Sequence, residues 1–188
     1  TLQTLAPSVT TASDVLTVNR NKILDIDTDD LIGPLKAPAA DLTDKITSAQ
    51  SAASSAAQAM RLAPQMLGID SKRTYLLIFQ NNAEVRSTGG LPGAFAILKA
   101  DKGKLSMGEQ GSIQDLPPAS KPVVPMTADE RSVFSSDLVT DIRDVNSTPD
   151  FPRSAEIARA LVKKGLDVDV DGVISVDPIA LSYILGGT

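Results

Sequence analysis

Apolar residues in the first third of the chain recur at helical spacing. Leu2, Leu5, Val9, Ala12 and Leu16 lie 3, 4, 3 and 4 residues apart, and Leu42, Ile46, Ala49, Ala53, Ala56 and Met60 lie 4, 3, 4, 3 and 4 apart. Such spacing gathers side chains on one stripe of a helix, so two helices with narrow apolar seams are predicted. The second seam is mostly alanine and serine, which permits close packing, and Asp41 is placed to cap that helix. Between them, Asn21 to Pro38 is an irregular connector whose acidic run DIDTDD, residues 25–30, is expected to be a solvated loop.

From Lys72 the period changes. Tyr75 to Phe79 (YLLIF) is a buried strand, Ala94 to Ala100 a second and Lys104 to Gly108 a third. The last two are joined by Asp101-Lys102-Gly103, whose glycine suits the left-handed position of a short hairpin. Leu116 to Pro125 is proline-rich and predicted to be extended. Ser154 or Pro152 opens a helix with Ile157, Ala158, Leu161 and Val162 on its apolar face and Gly165 as its stop. Gly172 to Val176 is a fourth strand, after which Asp177 caps a helix whose first position is Pro178. Strands alternating with helices predict an α/β fold: a mixed sheet sandwiched by helices, with an N-terminal helical hairpin beside it. Residues 1–70 form the helical segment and 71–188 the α/β domain.

Composition narrows the chemistry. A net charge of −5 with no cluster of more than two Lys or Arg residues disfavours nucleic acid as a partner. Cysteine and histidine are absent, which removes thiol catalysis, the Ser-His-Asp triad and the usual zinc ligands. Chemistry is left to carboxylates, Arg, Lys, hydroxyls or a hard cation held by oxygens. No stretch reaches the roughly 20 continuous apolar residues that a membrane span needs.

Two polar stretches remain to be explained. Gln80 to Gly93 (QNNAEVRSTGGLPG) follows directly on the first strand, where α/β sheets collect ligands, so Gln80, Asn81, Asn82, Glu84 and Arg86 are expected at the mouth of a cleft. Gly89, Gly90 and Gly93 let the chain turn tightly there. The second stretch, Asp141 to Pro152 (DIRDVNSTPDFP), packs Arg143, Asp144, Asn146 and Asp150 ahead of a helix. Such a loop suits an anion, through Arg and free N–H groups, or a hard cation, through Asp and Asn oxygens. Two Arg-plus-carboxamide loops converging on one cleft suit a phosphate or pyrophosphate.

The segments YLLIFQNNAEVRSTGGLPGAFAIL, GSIQDL, DVNSTPDFPRSAEIARALV and VDGVISVDPIALSYIL resemble the domain of unknown function 4012 family from Leu67 to Thr188. Their order is in turn similar to the LytR-CpsA-Psr family, which moves glycopolymers from a polyprenyl-pyrophosphate carrier onto peptidoglycan. The resemblance implies a bacterial, extracytoplasmic cell-envelope protein, membrane-anchored through a segment outside this chain, with a lipid-linked glycan or polyprenyl phosphate as partner. By position it implies that Arg86 is the loop arginine, Asp115 the acid of a closing element, and Arg143 and Asn146 the later loop. Arg86, Arg143, Asp144 and Asp115 are then the catalytic candidates. Gln80, Asn81, Asn82, Glu84 and Asn146 are the substrate contacts, and Asp115, Asp144 and Asp150 the ligands of a magnesium ion. Asn81, Asn82 or Glu84 stands where that family has an Asp, and Gln114 where it has an Arg.

The alternatives are a non-catalytic module that binds glycan or lipid phosphate, and a structural part of an envelope assembly using the Ala/Ser-rich seam. Asp167, Asp169, Asp171 and Gly172 also fall at positions 1, 3, 5 and 6 of a calcium loop, but position 12 is Pro178, which cannot ligate. The turn at Gly186-Gly187, after only four strands, predicts that the α/β domain is completed past Thr188 by a further polypeptide segment.

Overall fold

The computed structural model describes residues 2–27 and 31–186. It divides into two compact units, Thr1–Ser71 and Lys72–Thr188.

The first unit is a helical hairpin of α1 (Leu2–Leu24) and α2 (Gly33–Met66). Both helices are longer than the seams suggested, and the connector shrinks to the residues between them, of which 28–30 lie outside the described residues. Pro34 opens α2, its missing N–H costing nothing in a first turn. Asp41 therefore does not cap this helix; it lies inside it and pairs with Lys45 one turn on, at 2.7 Å. The inward stripe is also rotated from the expected one. Leu5 and Leu42 are exposed, and the inner face runs through Val9, Ser13, Leu16 and Thr17 on α1 and Ile46, Gln50, Ala53, Ala57 and Met60 on α2. A strict 3.5-residue repeat drifts about 20° per heptad on a straight helix, so a long helix cannot keep such a seam inward. The seam is partly polar, with Gln50 donating to the Thr17 hydroxyl at 3.2 Å.

The second unit holds a four-stranded mixed sheet in the order β3-β2-β1-β4. Its strands are β1 (Arg73–Arg86), β2 (Gly89–Asp101), β3 (Lys104–Ser112) and β4 (Gly172–Val176). β1 to β3 form an antiparallel meander, and β4 returns parallel to β1. The hairpin between β2 and β3 turns through Lys102 and Gly103, both at positive φ, so the left-handed position falls where expected.

The strands β1 and β2 are longer than their apolar runs because the polar stretch after Phe79 continues the ladder. Gln80 to Arg86 is thus not a loop at a strand end, as expected, but the bulged outer half of a long hairpin arm. Asn81 pairs with Leu91 and Val85 with Gly90, so residues 82–84 bulge out of register.

Leu76 and Ile78 of β1 and Phe95 and Ile97 of β2 pack beneath helix α4 (Phe151–Leu166), against Ile157, Ala158, Leu161 and Val162. Leu138, Val139, Ile142 and Val145, from the segment ahead of α4, close the same core. α4 opens with Pro152 in its first turn, one of the two starts expected, and Asp150 caps it; Ser154 lies further inside. The helix runs through Gly165 and stops at Asp167, which takes the left-handed conformation at φ 55°. Where helices on both faces of the sheet are expected, α4 is the helix of this unit that covers a face; opposite it, Tyr75, Leu77, Phe79 and Leu98 are half-buried. Helix α5 (Pro178–Gly186) follows β4, and its Ile179, Leu181, Tyr183 and Leu185 are exposed. β3 and β4 are the outer strands of the sheet among the described residues; residues 187 and 188, after which a further segment was expected, lie outside them.

The calcium-loop spelling is dispersed by this fold. Asp167 and Asp169 both pair with Lys163, at 2.8 and 2.9 Å. Asp171 accepts from Arg73 and from the Thr74 backbone N–H, and Gly172 opens β4. Among the described residues no helix is long and apolar enough to cross a membrane.

A mostly buried ion pair fastens the proline-rich connector. Arg153, in the first turn of α4, donates to Glu130 at 2.7 and 3.0 Å and to the Pro125 carbonyl at 2.7 Å. Glu130 in turn closes a capping box with Thr127 on the short helix α3 (Ala128–Val133). Arg153→Ala leaves a carboxylate and a carbonyl poorly solvated and is expected to cost about 3 kcal/mol, read as a lower urea midpoint. Asp177 accepts from the N–H groups of Ile179 and Ala180, at 2.8 and 3.2 Å. Asp177→Ala is expected to cost about 1 kcal/mol, while added calcium leaves the melting temperature of the unaltered chain unchanged.

Candidate functional site

The tip of the β1–β2 hairpin lies against the 141–150 loop. It gets there because β2 begins with residues that have almost no side chain. Gly89 adopts φ +130°, and a Cβ on it would sit 2.0 Å from the Gln80 amide oxygen. A Cβ on Gly90 would meet the Asn81 carbonyl at 2.1 Å. Both positions require glycine, whereas Gly93 meets its neighbours at ordinary distance. Buried Gln80 then locks the tip across the hairpin, donating to the Thr88 carbonyl at 3.2 Å and accepting from the Gly90 N–H at 3.4 Å.

Three contacts join tip and loop. The Asn146 amide donates to the Gly90 carbonyl at 2.6 Å, the Ser87 hydroxyl donates to the Ser147 carbonyl at 2.7 Å, and an Arg86 guanidinium nitrogen lies 3.8 Å from the Asp144 carboxylate. The last is an ion pair too long to be a hydrogen bond. Arg143 folds back on Asp141, whose Oδ1 accepts from both the Arg143 backbone N–H and Nε at 2.9 Å. A second guanidinium nitrogen of Arg143 also contacts Asp141.

Two carboxyls of the cluster are thereby driven apart. The Arg143 side chain, the larger influence, and its backbone N–H hold Asp141 below the usual carboxylate range against the cost of its burial. Burial pushes Asp144 up, the charge of Asp141 adds to this, and Arg86 and Arg143 pull against it. A half-buried carboxyl whose pKa is raised by burial, 3.8 Å from the Arg86 guanidinium, is a candidate to exchange a proton.

The structure therefore brings Arg86, Arg143, Asp144 and Asn146 together. Gln80 lies beside Asn146 in the hairpin tip, and the remaining candidates have other partners. Asp115 is held by Ser112, whose backbone N–H it accepts at 3.0 Å in the capping box of a single helical turn. Asp150 caps α4. Among the described residues no group of three or more carboxylates is placed to hold a metal ion, so Asp115, Asp144 and Asp150 do not form one ligand set. Glu84 is exposed in the bulge. Asn81 accepts from the Ala83 N–H at 3.2 Å, and Asn82 donates to Asp177 at 3.3 Å. Asn81 and Asn82 line an open depression of about 340 Å³ whose apolar floor includes Phe79, Ala94, Pro178 and Ile179. A separate cavity of about 350 Å³ lies between the proline-rich connector and the end of α4, lined by Leu116, Pro117, Ile142, Leu161 and Lys164, away from Arg86 and Asp144.

The profile of the family described as Protein of unknown function (DUF4012) matches residues 70–188. The chain belongs to the DUF4012 family. No curated protein and no solved structure matches it. Family membership thus covers the whole sheet, α4 and the polar cluster of this DUF4012 chain.

Sequence reading missed Asp141 and the Arg153–Glu130 pair. A signal was present for each. Thr127-Ala-Asp-Glu130 spells a capping box, and an Asp two residues ahead of Arg143 is the pattern of a side chain bonding the backbone two positions on.

The carboxyls also set the acid response. Glu130, held down chiefly by Arg153, Asp141, held down by Arg143, and Asp171, held down chiefly by the Thr74 N–H, have folded pKa values below their unfolded ones. Their stabilisation is complete above the unfolded carboxylate value of about 4 and is lost as pH falls through the folded values. Asp144, displaced upward, acts in the opposite sense: its ionised form is disfavoured by folding, and protonation relieves it. The urea midpoint is expected to fall steeply below about pH 4, and Asp144→Asn to be at least as stable as the unaltered chain at pH 7. A midpoint independent of pH down to about 2 contradicts the first, and a clear loss of stability in Asp144→Asn at pH 7 contradicts the second.

Proposed function

We propose that this DUF4012 domain is the extracytoplasmic part of a bacterial cell-envelope protein, similar to the LytR-CpsA-Psr family, that binds polyprenyl-pyrophosphate-linked glycans. In this reading it is anchored to the membrane by a segment outside this sequence. The observation that carries it is the docking of the hairpin tip on the 141–150 loop, which sets Arg86 3.8 Å from the Asp144 carboxyl in the loop that also holds the Arg143–Asp141 pair. Guanidiniums recognise phosphate oxygens through paired N–H groups, and an adjacent carboxyl of raised pKa is suited to take the proton of an attacking hydroxyl. A magnesium ion arriving with the pyrophosphate would find Asp144 as its protein ligand, the usual arrangement in which one or two carboxylates and the substrate share the ion. The apolar depression beside Asn81 and Asn82 supports the lipid half of the reading.

A second reading, a non-catalytic module for glycan or lipid phosphate, has its own observation. Arg143 is committed to Asp141 and Arg86 to Asp144, so the cluster is close to neutral, which suits the uncharged hydroxyls of a glycan better than a pyrophosphate.

Calorimetric titration with inorganic pyrophosphate, with and without magnesium, tests binding. Arg86→Ala and Arg143→Ala are each expected to weaken it by about 1.5 to 3 kcal/mol, tenfold or more. Equal affinity in both variants and the unaltered chain sinks the reading. Incubation with magnesium and a polyprenyl-pyrophosphate sugar separates the two: transfer supports the enzyme, and binding without turnover supports the module.

A further inference from the structure

Asn146 and Ser154 are each 3% exposed, yet Asn146 Oδ1 and Ser154 Oγ find no hydrogen-bond partner among the protein's own atoms. Buried polar atoms of this kind are rare in folded proteins, because leaving one unpaired forfeits its hydration with nothing in return. The two residues line the same narrow slot, together with Gln80, Ile78, Val145 and Ser175. The slot measures about 10 Å³, the scale of one water molecule.

The orientation of the Asn146 amide is fixed independently of the slot. Its nitrogen donates to the Gly90 carbonyl, and a carbonyl oxygen only accepts, so Asn146 Oδ1 and Nδ2 cannot trade places without setting two acceptors face to face. Asn146 Oδ1 therefore needs a donor from the slot side. Gln80 commits one amide N–H to the Thr88 carbonyl and its oxygen to the Gly90 N–H, and its other N–H makes no bond to Asn146 Oδ1, which has no partner. A hard cation wants six or more oxygens, whereas Ile78 and Val145 supply apolar walls. The guest is small and neutral, and it both donates and accepts.

We propose that the slot is a binding site for a single water molecule, which donates to Asn146 Oδ1 and bonds the Ser154 hydroxyl, tying the 141–150 loop to the first turns of α4. Ser154 is then a positioning residue. Acting through the water, it holds Asn146, and Asn146 holds the hairpin tip by the Gly90 carbonyl. This link is independent of whether the neighbouring cluster binds pyrophosphate.

A high-resolution crystal structure of the whole chain is expected to show one ordered water within about 3.2 Å of both atoms. Ser154→Ala is expected to lose that water and to quicken solvent exchange of the Asn146 side-chain amide protons in NMR. A dry slot overturns the proposal, as does a Ser154 hydroxyl turned back to the Asp150 carbonyl one turn earlier. Unchanged Asn146 amide exchange in Ser154→Ala overturns the positioning role. If Ser154→Ala does not fold, magnetisation transfer from a long-lived water to the Asn146 amide in the unaltered chain decides, and its absence counts against the site.

Discussion

The candidate site rests on two backbones approaching more closely than any side chain allows. At Gly90 the chain of β2 runs so near the Asn81 carbonyl that a single added methyl group would overlap it. That approach fixes the Gly90 carbonyl where Asn146 reaches it, and the bond between them joins the outer hairpin to the loop ahead of α4. Arg86 and Asp144 meet as a consequence. The polar stretch after Phe79 is thus the structural price of a hairpin long enough to reach a distant loop, with Gln80 buried to brace it and residues 82–84 bulged to absorb the mismatch.

Charge in this cluster is balanced within a short radius. Each arginine has an aspartate partner, and the two aspartates are treated unequally: Asp141 receives the guanidinium and a backbone N–H, while Asp144 receives a long ion pair and the field of its neighbour. Two carboxyls with opposed environments are the usual precondition for dividing acid and base roles. The same neutrality means that a multiply charged phosphate gains affinity there only by displacing an internal pair or by bringing its own cation. Burial, not charge count, distinguishes Asp144 from the many exposed acids of the chain.

Apolar residues are divided unevenly over the sheet. Leu76, Ile78, Phe95 and Ile97 are almost fully withdrawn from water under α4, joined by Val139 from a 3-10 turn (Ser136–Val139) and by Ile142 and Val145 from irregular backbone. Irregular segments can be buried this deeply only if their polar groups are paired, and here Arg153 and the Thr127–Glu130 box do so for the stretch around Pro125. The opposite face keeps Tyr75, Leu77 and Phe79 in partial contact with solvent, and α5 extends from β4 with apolar side chains outward.

Much of the secondary structure was written locally. The YLLIF strand, the Lys102-Gly103 turn, the GVISV strand and the Asp177-Pro178 helix start each depend on a few adjacent residues and one backbone preference, and each is found where the sequence places it, although burial in YLLIF alternates. Legibility failed where the deciding neighbour was remote. The inward stripe of the helical hairpin was set by the partner helix and by the 3.6-residue turn, not by the spacing of leucines. Asp150 caps α4, and Ser154, one turn inside the helix, lines the buried slot beside Asn146, a neighbour the local sequence does not name. Of the site, the sequence by itself determined which residues were available, two arginines, the carboxyls and the carboxamides, and that histidine and cysteine were not. Only the tertiary structure decided that Arg86, Arg143, Asp144 and Asn146 share one place while Asp115 and Asp150 are spent on helix starts. The reason is distance along the chain: about sixty residues separate Gly90 from the loop it meets, with no local rule to link them.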